Sequence, residues 1–91
     1  MVLEIITPEM VLFSGQVESV SVPGVDGQFQ MLDNHAPVVS LLTKGSVKIF
    51  GNVKLDEATA GLFKKADGTT NFDITGGVIE MTGNKAIILA D

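Results

Sequence analysis

The residue best equipped for chemistry is His35, because nucleophilic catalysis by serine needs a base to take the hydroxyl proton and imidazole is the usual one. It is the one histidine of the chain and stands in Asn34-His35-Ala36-Pro37. No G-x-S-x-G elbow or other nucleophile motif adjoins it, so a triad would have to be assembled wholly by the fold. A turn histidine that packs or hydrogen-bonds locally accounts for it better, and no catalytic residue is assigned. Metal binding fares no better. Asp26, Asp33, Asp56 and Glu57 are scattered, without the close repeated spacing of zinc or calcium loops. Asp33 and His35 can point to one side of an extended segment, but two ligands are too few. The absence of cysteine removes disulfide staples, thiolate zinc sites and a thiol nucleophile together.

Phosphate-cradling patterns are missing as well. There is no G-x-x-x-x-G-K-S/T run, and Gly24, Gly27, Gly76 and Gly77 fall between apolar runs rather than ahead of a helix. Their expected role is a positive backbone angle or a bulge. No cofactor is therefore expected, with one rival. Lipoyl and biotinyl carrier domains are acidic sandwiches of about this size that present a lysine on a hairpin turn, and Lys85 in Gly83-Asn84-Lys85-Ala86 has that look. In such carriers the lysine lies near mid-chain between two similar halves. Lys85 lies close to the end, so a plain hairpin lysine is the better account.

Eleven acids against six bases give a formal charge of −5. The bases are dispersed apart from Lys64-Lys65, so no basic stripe exists to neutralise phosphates and nucleic acid is excluded as a partner. The chain is 45% hydrophobic, too apolar for disorder, yet no apolar run approaches the ~20 residues of a membrane span. Its first residues lack the look of a signal or transit peptide. The expectation is a bacterial cytoplasmic protein of one domain, 1–91.

The elements that would carry these residues repeat with a period of two. Val20 and Val22 alternate with Ser19 and Ser21, Phe29 and Met31 with Gln28 and Gln30, Val47 and Ile49 with Ser46 and Lys48, Phe72 and Ile74 with Asp73 and Thr75. Each such strand is expected to show one face to water, with Phe29 and Ile49 in the core. Leu3–Ile6, Val38–Leu42 and Ala86–Ala90 are apolar on both faces and are expected to be covered on two sides. Turn residues punctuate the runs at Thr7-Pro8, Ser14-Gly15, Pro23-Gly24, Asp26-Gly27, Lys44-Gly45, Asp67-Gly68 and Gly83-Asn84. Short strands at such intervals predict an all-β, antiparallel sandwich of two packed sheets. The stretch from Gly51 to Thr70 reads two ways. Residues 56–61 suit a short helical turn, and Leu62–Lys65 suits a strand paired with Asn71–Thr75 across Asp67-Gly68.

Several pieces, in order along most of the chain, resemble the N-terminal domain of the epsilon subunit of F-type ATP synthase, called delta in mitochondria. They are Leu3-Glu4-Ile5-Ile6-Thr7-Pro8-Glu9, Leu12-Phe13-Ser14-Gly15, Val17-Glu18-Ser19-Val20, Pro23-Gly24-Val25-Asp26-Gly27-Gln28-Phe29, Asn34-His35-Ala36-Pro37-Val38-Val39-Ser40-Leu41-Leu42, Ile74-Thr75-Gly76-Gly77-Val78-Ile79-Glu80 and Ile88-Leu89-Ala90-Asp91. Gly51 to about Asn71 is not covered. The resemblance implies a ten-stranded sandwich without an active site. That domain couples the gamma subunit to the polar loops of the membrane c-ring, peripheral to the inner membrane and without inserting into it. By motif, Thr7, His35, Ala36 and Pro37 would lie at the gamma surface, and Asp26, Gly27, Gln28 and Phe29 would face the ring. Family members usually add a C-terminal helical hairpin that restrains ATP hydrolysis. The expectation is a domain without that hairpin after Asp91, so its regulation is not carried over.

Overall fold

The structure, a computed structural model, describes the backbone of residues 1–91 and every side chain except that of His35. Ten strands follow one another: β1 (Val2–Ile6), β2 (Val11–Gln16), β3 (Ser19–Gly24), β4 (Gly27–Met31), β5 (His35–Leu42), β6 (Gly45–Phe50), β7 (Lys64–Ala66), β8 (Thr69–Ile74), β9 (Gly77–Gly83) and β10 (Lys85–Ala90). They hydrogen-bond in the order β2-β1-β10-β9-β5-β3-β6-β8-β7, with β4 on the far side of β3. The β3–β5 junction is the single bridge Gly24↔Leu42. There the ribbon folds over, so that β2-β1-β10-β9-β5 lies against β4-β3-β6-β8-β7 as the two layers of a sandwich.

The alternating sequence explains which side chains meet between the layers. Leu3, Ile5, Ile79 and Ile88 of the first layer and Val20, Val22, Val47 and Ile49 of the second are wholly buried. Period-two burial fails in β2, where Leu12 and Phe13 are consecutive and both buried. The cause is a bulge: Ile5 pairs with Phe13 but Ile6 pairs with Val11, leaving Leu12 as the extra residue that turns inward. A second bulge falls in β5, where His35 pairs with Gly83 and Val38 with Met81. The intervening Ala36-Pro37 accounts for it, since proline has no N–H to give a ladder.

Several expectations need correction, among them Phe29, which is half-buried instead of enclosed in the core. The pairing is not wholly antiparallel, because β1 and β10 run parallel from Val2↔Lys85 to Ile6↔Leu89. The two outermost stretches of sequence lie side by side, and the rest of the chain forms the crossover between them. Ser19 and Ser21 are buried rather than wet. They sit on a strand flanked by β4 and β6, where Gln30 Nε2 donates to Ser19 Oγ at 2.8 Å and Ser21 pairs with Gln30 and Lys48. Short side chains there lie in the shade of longer neighbours. Finally, the two-faced apolar strands are covered on one side alone: Val39 is 70%, Leu41 65% and Leu89 43% exposed.

In the ambiguous stretch, the helical element is a 3₁₀ turn at Ala60–Leu62, slightly later than 56–61, entered through a turn in which Ala60 N donates to Asp56 O at 2.8 Å. The buried Thr59 hydroxyl donates to the Leu12 carbonyl at 3.1 Å, fastening this crossing to β2. Phe63 then packs between Phe13 and Phe72, with ring centroids 6.4 and 5.2 Å away. The hairpin does close at Asp67-Gly68, but it pairs Lys64–Ala66 with Thr69–Asn71 and leaves Leu62 in the 3₁₀ turn.

Candidate functional site

The open face of the first layer is the largest departure from a sealed sandwich. Ile79 and Met81 point into the core, so Val78, Glu80 and Thr82 of β9 point out. Register carries the same parity across the layer. One row runs Leu41, Val78, Leu89, Ile6, and the next runs Val39, Glu80, Ile87, Glu4. The first row floors an open groove of about 670 Å³, closed at its end by Thr7 and Val25. Six aliphatic side chains thus form a contiguous apolar surface, the kind that marks a partner-binding site on a soluble protein.

Charge on this face is sparse. Lys85 Nζ lies 3.7 Å from Glu4 Oε1, which also gives Lys85 an ordinary role as a strand-start cation. Among the described residues no group of three or more acids or histidines could hold a metal ion. Among the described residues no helix is long and apolar enough to cross a membrane.

The residues singled out from the sequence fall at two ends of the sandwich. Thr7 follows β1, beside the β3–β4 turn, and its hydroxyl donates to Met10 O at 3.2 Å and accepts from Met10 N at 3.3 Å, closing the β1–β2 turn. Ala36 and Pro37 are exposed at the bulge that begins β5, at the opposite end. The His35 side chain lies outside the described residues, and its backbone pairs with Gly83. Thr7 therefore does not adjoin His35-Ala36-Pro37; it shares the Val25 end with the Asp26 loop. In that loop Asp26, Gly27 and Gln28 are exposed, and Phe29 is half-buried over Gly24. Gln28 has a structural task too. Continuing the β3–β6 register sets Ser46 opposite Pro23, which has no N–H, and the Ser46 carbonyl instead accepts from Gln28 Nε2 at 2.9 Å.

Sequence reasoning missed the outer-face residues Val39, Leu41, Val78, Ile87 and Leu89 as a surface. The signal was present in the two-faced apolar strands, but period two cannot say whether the second cover is supplied by the same chain. The glycine expectation holds in part: Gly27 and Gly77 have φ of +117° and +152°. Gly24 is required by the Phe29 ring, which would lie 2.6 Å from a Cβ there.

The family model for the ATP synthase delta/epsilon chain beta-sandwich domain matches residues 1–91. The chain belongs to this family. Within the delta/epsilon family, it is 38% identical over 89 residues to the ATP synthase epsilon chain of Chlorobium limicola, covering 98% of this chain and 86% of that one. With the epsilon chain of Leptospira borgpetersenii it is 35% identical, covering 98% and 59%. The fold matches a chain in the Tetrahymena thermophila mitochondrial ATP synthase central stalk and c-ring structure, with TM-score 0.70, 17% identity, and 98% and 61% coverage. A chain in the Euglena gracilis mitochondrial ATP synthase structure gives 0.71, 16%, 97% and 48%. As a delta/epsilon chain the protein is a non-catalytic, peripheral component of an ATP synthase.

Proposed function

We propose that the protein is the epsilon-type joint of a bacterial F-type ATP synthase, seated along the gamma subunit by the outer face of β1, β10, β9 and β5. Its Val25-Asp26 end turns toward the polar loops of the c-ring, at the cytoplasmic face of the inner membrane. Its work is mechanical: it holds ring and gamma together so that ion-driven rotation reaches the catalytic subunits. The observation that carries this reading is the uncovered apolar face, with Leu41 and Val39 about two-thirds exposed beside Val78, Ile87 and Leu89.

A close-packed sandwich suits such a joint, because protein interiors are dense and transmit strain instead of absorbing it. A standard interface takes about 800 Å² from each partner, and an existing apolar face supplies the part of it that excludes water. Thr7 and Ala36-Pro37 stand at the two ends of this face, so a partner lying along it reaches both. The exposed Asp26-Gly27-Gln28 turn is then free for the ring.

Binding of the purified chain to purified gamma subunit tests the proposal. Leu41→Asp and Leu89→Asp are expected to weaken binding by at least about a hundredfold, since each buries a charge in an apolar contact, with little change in the melting curve. Unchanged binding by both variants removes the face from the interface. For the ring, Gln28→Lys in the reconstituted rotor is expected to reduce recovery of ring-bound chain while gamma binding persists.

A further inference from the structure

Glu80 stands apart on the open face. It is exposed at the middle of β9, with Ile87 and Val39 as cross-strand neighbours and Val78 next on the same side of its own strand. Glu4 lies two strands away in the same row, beyond Ile87, and is held by Lys85 at 3.7 Å. Lys85 is diagonal to both carboxylates in register but its ion pair is with Glu4, so the row keeps one uncompensated negative charge at Glu80.

Water solvates that charge in the free chain. Covering the face strips the water away, and a carboxylate dehydrated among aliphatic side chains opposes docking unless the partner supplies a cation. Resting on the docking face proposed above, we propose that Glu80 is the charge-reading residue of this surface, and that the gamma subunit presents one basic side chain, of arginine type, against it. Arginine fits because its guanidinium is weakly hydrated and engages a carboxylate through two parallel hydrogen bonds. An apolar patch by itself tolerates sliding. A single charge set inside it fixes the register of the partner, since shifts of a few ångströms leave both charges buried and unpaired.

The test uses the full chain and purified gamma subunit, with affinity measured across a series of salt concentrations for wild type, Glu80→Gln, Glu80→Lys and Leu41→Asp. Support is a loss of about tenfold or more for Glu80→Gln with a flatter salt dependence, and a larger loss for Glu80→Lys, the melting curves of both remaining like wild type. Wild-type affinity and salt slope in Glu80→Gln, alongside lost binding in Leu41→Asp, overturns the role of Glu80 and leaves the docking face standing. Wild-type affinity in Leu41→Asp overturns the docking face and this inference with it.

Discussion

Gly77 shows how one residue can be fixed by its surroundings. Its φ is +152° and a Cβ there would lie 2.3 Å from the Leu89 carbonyl oxygen, inside any tolerable contact. Gly77→Ala is expected to destabilise the fold by about 1–3 kcal/mol from the backbone alone, with the clash adding to it; a shifted urea midpoint measures this. Core positions differ in kind. Ile49 is wholly enclosed, so Ile49→Ala leaves a cavity and is expected to lose about 2–5 kcal/mol. Phe29 was expected to behave alike, but it is half-buried over Gly24. Phe29→Ala should therefore lower the midpoint less than Ile49→Ala, and equal losses would contradict this ordering. The sequence made Ile49 and Val47 legible because alternation names the inward side of a strand. It could not show that Ser19 is buried, since shading by Gln30 from the next strand is a tertiary effect.

At the scale of elements, hairpins were the most legible features because their turns are local chemistry. Asp67 and Gly68 both take positive φ, +53° and +77°, as a two-residue turn between right-twisted strands demands. Gly68→Ala is expected to cost about 1–2 kcal/mol, the penalty for a Cβ in the left-handed region, with β7 exchanging its amide protons faster than β9. Pairings made across the whole chain were less legible. Nothing local marks β1 and β10 as parallel neighbours, and nothing marks Leu12 as the extra residue of a bulge. The crossing after Gly51 was ambiguous for a related reason: its order comes from Thr59 on the Leu12 carbonyl and from Phe63 between Phe13 and Phe72. Those partners are tens of residues away or more in most cases, and no window of sequence contains them.

For the whole molecule, the decisive property is that one layer of the sandwich ends in an apolar surface. The sequence announced the composition of that surface through Val38–Leu42 and Ala86–Ala90, but not that the fold of the chain would leave it open. A face of this kind has a consequence for the isolated protein. With Val39, Leu41 and Leu89 exposed, two copies gain by burying their open faces against each other, because area removed from water returns about 25 cal/mol per Å². The Glu80 of each copy resists that pairing, since the lysine each face carries, Lys85, is already engaged by Glu4. The association is therefore expected to be weak, visible as a rise of sedimentation coefficient with concentration and strengthened by high salt. Leu41→Ser with Leu89→Ser should abolish the concentration dependence while the melting temperature moves by no more than a few degrees, because both side chains already stand in water. Glu80→Gln should instead strengthen self-association while weakening the bond to gamma. That opposition separates a charge that selects a partner from an apolar face that accepts any cover.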